Sequence, residues 1–179
     1  MIASMTESTR ASEKPLHTLQ LHLPDAAATA RAGAALAPML NAGMIVTLQG
    51  DLGAGKTTLV RGVLRARGQN RPIKSPSYGL VEHYPLSSIY FYHIDFYRFA
   101  DPVEWETAGL AECFRPDSVC LIEWPENAGT FLPHADVALV LALAPSDEGR
   151  TLTAHANSQA GKRCVDAIAA QFGLPLIDR

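Results

Sequence analysis

Eight consecutive residues, Gly50-Asp51-Leu52-Gly53-Ala54-Gly55-Lys56-Thr57, satisfy the pattern G-x-x-x-x-G-K followed by Ser or Thr. The residue types have a physical reason. Glycines let successive backbone N–H groups turn inward around anionic oxygens, and a helix opening after the loop points its positive N-terminus at them. Lys56 adds a cation for the β- and γ-phosphates of a nucleotide, and Thr57 adds a hydroxyl oxygen for the magnesium ion that accompanies them. A glycine-rich turn without a ligand is the competing reading. A complete match between an apolar run and a helical stretch speaks against it.

A metal held by Thr57 needs an anionic partner at the end of a neighbouring strand. Glu123, directly after Val119-Cys120-Leu121-Ile122, stands where such an acid belongs. The alternative is an exposed glutamate at a strand end. Asp95, in His93-Ile94-Asp95-Phe96-Tyr97-Arg98, closes another strand and can orient a water or the metal's water shell near the γ-phosphate. It can equally be a polar residue ending a strand. His93 alternates with Asp95 and is read as structural, while Arg61 and Arg98 are candidates for stabilising phosphate charge.

These residues need elements to hold them. Met44 to Gln49 is a compact apolar run bounded by Gly43 and Gly50, short enough for a core strand, and Leu59, Val63 and Leu64 recur at helical spacing until Gly68 stops the helix. Before them, Thr18 to Leu23 reads as a short strand and Pro24-Asp25 opens an Ala-rich helix to about Leu40. Asp25 and its neighbours are candidates for contact with the base. After them, Ser77 to Tyr84 and Ile89 to Phe96 read as a hairpin, and Asp101-Pro102-Val103-Glu104 reads as a capped helix start with the helix reaching about Cys113. Asp136 to Leu143 and Arg150 to Ala156 form two more strands, and Ser158 caps a last helix ending near Gly173. The alternation predicts an α/β fold, a three-layer sandwich of the P-loop NTPase type with a mixed, partly antiparallel sheet.

With 47% apolar residues in 179, one core is the expectation: a single domain from residue 16 to 179 behind a disordered polar leader, residues 1–15. The leader lacks the apolar segment of a signal peptide, and no apolar run approaches the ~18 residues of a membrane span. Cys113, Cys120 and Cys164 lack the paired spacing of a zinc site or disulfide framework, which favours a reducing, cytoplasmic setting. A net charge of -3 gives no basic footprint for a stand-alone nucleic-acid binder, so any RNA is expected to be held through a partner.

Taken together, Gly50 to Thr58, Lys74-Ser75-Pro76-Ser77-Tyr78, Tyr92-His93-Ile94-Asp95-Phe96-Tyr97-Arg98 and Ile122-Glu123-Trp124-Pro125 resemble, in this order, the TsaE (YjeE) family of bacterial tRNA-modification ATPases. The resemblance covers about Leu19 to Ala156. It implies slow ATP hydrolysis coupled to TsaB and TsaD partners, with TsaD transferring the threonylcarbamoyl group to the tRNA adenosine beside the anticodon. It assigns Thr57 and Glu123 to magnesium, an important role to Asp95, and Lys56 with the surrounding Asp51, Leu52, Gly53, Ala54, Gly55 and Thr58 to the phosphates of ATP. Trp124 is similar to a family tryptophan near the nucleotide, a structural aromatic being the other reading, and Gly149-Arg150 matches a family position there. Lys74 to Tyr78 resembles a switch-like loop in which the family usually has Thr where this chain has Ser77. The leader and the insertion-like segment Ser146 to Gly149 are departures from the family.

Three other readings share the loop. A small P-loop kinase phosphorylating a small molecule needs an arginine-rich lid, and after the hairpin Arg98 and Arg115 stand isolated. A GTPase needs Asn-Lys-x-Asp and Asp-x-x-Gly, which the chain lacks. A nucleotide-gated binding module differs from a slow ATPase only in turnover.

Overall fold

The computed structural model describes residues 14–144 and 148–175. Residues 1–13 of the expected leader, and Ser146 and Asp147 of the insertion-like segment, lie outside the described residues. Seven strands form one sheet: β1 (His17–Leu23), β2 (Ile45–Gln49), β3 (Val81–Leu86), β4 (Ile89–Asp95), β5 (Ser118–Glu123), β6 (Val137–Leu143) and β7 (Arg150–Ala156). Their order across the sheet is β1-β7-β6-β2-β5-β4-β3. The central pairs β6/β2, β2/β5 and β5/β4 are parallel, and the flanking pairs β1/β7, β7/β6 and β4/β3 are antiparallel. The expected mixed sheet is therefore present.

Side chains alternate across it and feed two cores. Val119 and Leu121 of β5 join Val46 and Leu48 of β2 in a core closed by α1 (Ala26–Leu36), α2 (Lys56–Ala66) and α5 (Gln159–Gln171). Cys120, Ile122 and Ile45 point the other way, toward Phe96, Phe99, Leu110 and Ala128 and the short helices α3 (Pro102–Thr107) and α4 (Pro125–Ala128). Helix, sheet, helix make the three layers.

Helices α1 and α2 approach unusually closely because two glycines face each other's backbone. A Cβ on Gly33 would lie 2.1 Å from the Leu59 carbonyl oxygen, and one on Gly62 would lie 2.1 Å from that of Ala30. Asp25, a candidate for base contact, accepts from the Ala28 N–H at 2.6 Å and caps α1.

Three local expectations needed correction. Helix α1 ends at Leu36 and continues to Met39 as a tighter 3-10 turn, because Pro38 has no N–H to donate. Strand β3 begins at Val81 and not at Ser77. Leu80 takes a left-handed backbone (φ 62°), which ends any strand before it, and its carbonyl accepts from Asp95 N–H at 2.9 Å. Residues 75–80 are thereby left as a loop beside the P-loop. The helix starting at Pro102 keeps its expected capping box, with Asp101 and Glu104 reciprocally bonded, but stops at Thr107.

Candidate functional site

The P-loop connects the C-terminal end of β2 to the N-terminus of α2, at the centre of the sheet. Gly50 leaves the strand with φ 137°, and a Cβ there would sit 2.1 Å from the Leu141 carbonyl oxygen of β6. Only glycine meets both demands. The loop rises over the sheet edge and opens a cleft of about 400 Å³ lined by Leu52, Gly53, Gly55, Lys56, Thr57 and Thr58 on one side. Ser75, Ser77, Tyr78, Asp95, Tyr97, Arg98, Glu123 and Trp124 line the other.

Lys56 is buried (4% exposed), and its Nζ donates to the carbonyls of Gly50 at 2.5 Å and Asp51 at 2.9 Å. Burial pushes this ammonium below the usual lysine range, while Glu123, Asp95, Glu126 and Asp51, in that order, pull it back up. Its Nζ also lies 4.0 Å from the centre of the Trp124 ring. Trp124 holds a left-handed backbone (φ 56°), a costly conformation for a bulky residue, and packs against Tyr97 at 5.2 Å. A strained aromatic over the loop's cation makes Trp124 a wall of the cleft.

Glu123 is almost fully buried (2% exposed) at the end of β5, beside Asp95 at the end of β4, with the two residues paired in register. The Thr57 hydroxyl donates to Glu123 at 2.8 Å to Oε1 and 3.1 Å to Oε2. Two residues 66 apart in sequence thus share one point. On the far side, His93 Nε2 lies 2.8 Å from Glu123 Oε1, with the imidazole fully buried and its Nδ1 without a hydrogen-bond partner among the described residues. The Nε2–H is the group that meets the carboxylate. Asp95 accepts from the Ser75 hydroxyl at 2.6 Å through Oδ2 and from the Tyr97 N–H at 2.9 Å through Oδ1. Both of its oxygens are therefore oriented.

The donors of Thr57 and Glu123, a hydroxyl and a carboxylate at the mouth of the loop, are hard oxygens of the kind magnesium takes from a protein, with water and phosphate supplying the rest. The residues fit that ion.

Other expected residues fall farther out. Arg150 reaches the back of the P-loop, where its Nε donates to the Ala54 carbonyl at 3.1 Å and its Nη2 to that of Gly53 at 3.3 Å. It braces the loop. Gly149 packs against β1, since a Cβ there would come 2.4 Å from the Leu23 carbonyl oxygen. Asp51 is exposed and Ala54 buried, and neither lines the cleft. Arg98 lines it, with its guanidinium 4.3 Å from the centre of the Tyr78 ring. Arg61 does not; its Nε donates to the Ile73 carbonyl at 2.9 Å on the outer face of α2. Ser75 and the contact of His93 with Glu123 were not legible as site features. The alternation of His93 with Asp95 was the available signal, because it puts both side chains on the face of β4 that looks toward α2.

A P-loop between a central parallel strand and a helix, with a buried acid on the next strand meeting the loop's threonine, defines a P-loop NTPase-like protein. The family model described as "Threonylcarbamoyl adenosine biosynthesis protein TsaE" matches residues 23–152. The chain belongs to the TsaE family. It is 38% identical over 159 residues to the tRNA threonylcarbamoyladenosine biosynthesis protein TsaE of Haemophilus influenzae, covering 86% of this chain and 99% of that protein. It is 39% identical over 116 residues to the protein of the same name from Bacillus subtilis, covering 64% and 72%. The crystal structure of Bacillus subtilis YdiB superposes with a TM-score of 0.72 at 27% identity, covering 87% of this chain and 97% of that one.

Proposed function

We propose that the protein is a slow ATPase, stimulated by partners of the TsaB and TsaD type, which supports threonylcarbamoyl modification of the tRNA adenosine beside the anticodon. The observation that carries the ATPase reading is the meeting of Thr57, Glu123 and Lys56 at the mouth of the P-loop. The names of the relatives support the role in tRNA modification.

On this reading the loop's backbone N–H groups and the N-terminus of α2 cradle the β-phosphate. Lys56 exchanges its two carbonyl acceptors for phosphate oxygens, and the neighbouring carboxylates keep it charged despite burial. Magnesium, when bound between Thr57 and Glu123, would neutralise charge building on the β- and γ-oxygens. Asp95, held by Ser75 and Tyr97, accepts a hydrogen bond from the attacking water and orients it toward the γ-phosphorus. Trp124 and Tyr97 shield one side from bulk solvent. In the assembly the partners hold the tRNA and carry out the transfer. The setting is the cytoplasm; among the described residues no helix is long and apolar enough to cross a membrane, and all three cysteines are buried and free.

Two substitutions separate binding from chemistry. Lys56→Ala removes the phosphate cation and should abolish measurable ATP binding and turnover. Glu123→Ala should leave nucleotide affinity within a few-fold and lower magnesium-dependent turnover by about 10²-fold or more. Isothermal titration with ATP and steady-state phosphate release, with and without partners and tRNA, read both. Wild-type turnover in either variant sinks the assignment, and robust transfer to a small hydroxylated acceptor with indifference to the partners makes the protein a kinase.

A further inference from the structure

Two cations line the cleft, Lys56 from the P-loop and Arg98 from the opposite wall, against two carboxylates, Asp95 and Glu123. Lys56 is one point charge with three donors, and the charge that builds during hydrolysis spreads over several oxygens of the transferring group. Arg98 is the cation that the steps above leave without a task. Among the described residues its side chain makes no hydrogen bond and no ion pair.

Its backbone, by contrast, is fixed. Phe96 and Phe99 on either side are buried, with their rings edge to face at 5.2 Å. The Phe96 N–H donates to the Glu123 carbonyl at 3.0 Å, and the Phe99 N–H donates to the Phe96 carbonyl at 3.0 Å. This turn ties the main chain of Arg98 to the strand end that carries Glu123, and leaves its side chain exposed. A long side chain on a rigid tether can be delivered to one place by rotamer change alone.

The guanidinium rests 4.3 Å from the centre of the Tyr78 ring. Tyr78 is 84% exposed, in a loop that Asp95 holds at both ends: its Oδ2 accepts from the Ser75 hydroxyl at 2.6 Å, and its N–H donates to the Leu80 carbonyl at 2.9 Å. An exposed cation–π stack is weak beside a charge-assisted, bidentate hydrogen bond to phosphate, so a triphosphate in the cleft can draw the fork off the ring.

We propose that Arg98 is a catalytic residue, an arginine finger carried in the same chain, stored on Tyr78 and donating to the γ-phosphate as hydrolysis proceeds. The inference rests on the ATPase reading above and deepens it. As the water oxygen bonds to the γ-phosphorus, the bond from phosphorus to the β,γ-bridging oxygen breaks. Its electron pair stays on ADP, and the water's proton leaves with inorganic phosphate. The guanidinium N–H groups meet the charge gathering on the oxygens of the transferring group. A solvated arginine on an exposed turn is the competing reading, and it predicts no effect on turnover.

The test uses the full chain without partners. Isothermal titration measures affinity for ATP, for ADP and for ADP with aluminium fluoride, a mimic of the transferring phosphoryl group, while phosphate release measures turnover. Arg98→Ala should lower turnover by about 10²-fold and affinity for ADP with aluminium fluoride by a similar factor, with ATP and ADP affinities changed less than about threefold. Arg98→Lys keeps the charge without the fork and should regain no more than about tenfold of that loss. Tyr78→Ala releases the stored group and should raise turnover about two- to fivefold. Wild-type turnover in Arg98→Ala overturns the proposal. So does an equal loss of ATP affinity and turnover, which makes Arg98 a ground-state phosphate ligand, and anything but a rise in Tyr78→Ala overturns the storage. A wild-type chain that binds no ATP sinks the ATPase reading itself, whereas ATP binding and hydrolysis untouched by Arg98→Ala removes only the finger.

Discussion

Three side chains, His93, Thr57 and Glu123, form a chain of hydrogen bonds running from the buried interior of the sheet to the P-loop. His93 is the inner end, and among the described residues the only hydrogen-bonding partner of its imidazole is the Glu123 carboxylate. It therefore positions the carboxylate, which a purely packing histidine would not do. Replacing it with Leu should lower turnover by about 10-fold to 100-fold, with ATP affinity changed less than about threefold. Gln, which can set an amide N–H near the place of Nε2, should restore most of that loss. A His93→Gln variant as impaired as His93→Leu would reduce the residue to packing. At this scale the sequence was most informative where chemistry is local: the eight residues of the P-loop are contiguous, and Glu123 and Asp95 each end a recognisable strand. It was silent where partners are distant. Ser75 meets Asp95 across 20 residues and His93 meets Glu123 across 30, and no spacing rule reaches that far. Arg61 erred the other way, for its position on α2 is near the loop in sequence but its side chain leaves on the outer face.

The elements around the site depend on close approach more than on propensity. Gly62→Ala would ordinarily gain about 1 kcal/mol of helix propensity. Here the new Cβ would meet the Ala30 carbonyl at 2.1 Å, and a helix backbone cannot move aside cheaply. The clash should win, with a net loss of about 1–3 kcal/mol and a melting temperature lower by several degrees in a thermal scan. A more stable Gly62→Ala protein would mean that α1 is free to shift. Element type was legible for the seven strands and for α1, α2, α3 and α5, including the capping box at Asp101, whereas the four-residue α4 after Trp124 was not anticipated. Boundaries were less so. Ser77 to Leu80 has the composition of a strand, yet the left-handed turn at Leu80 makes it a wall of the cleft, an outcome set by tertiary contact with β4. Pro85 inside β3 is tolerated because that strand lies at the sheet edge.

Across the whole molecule, composition averaged away what the fold separates. A chain-wide charge of -3 carried no sign that residues 26–81 hold seven Lys or Arg against one carboxylate, since the carboxylates that cancel them lie mostly on other elements. The order of strands has a temporal consequence. Strand β2, which launches the P-loop, finds its neighbours only in β5 and β6, and β1 pairs only with β7, which begins at Arg150. A chain emerging from the ribosome therefore holds a complete P-loop sequence long before any sheet exists to shape it. Long-range pairing of this kind is slow to close and leaves strand edges open meanwhile. On the proposed ATPase reading, a fragment ending at residue 135 should accordingly fail to bind ATP where the full chain binds it, although every residue lining the cleft is present in the fragment. Nucleotide binding by such a fragment would show that β2 with β5, β4 and β3 can shape the loop without β6 and β7. Otherwise the ability to hold ATP is acquired only after β6 and β7 have been made, and a bound nucleotide reports that the sheet has closed.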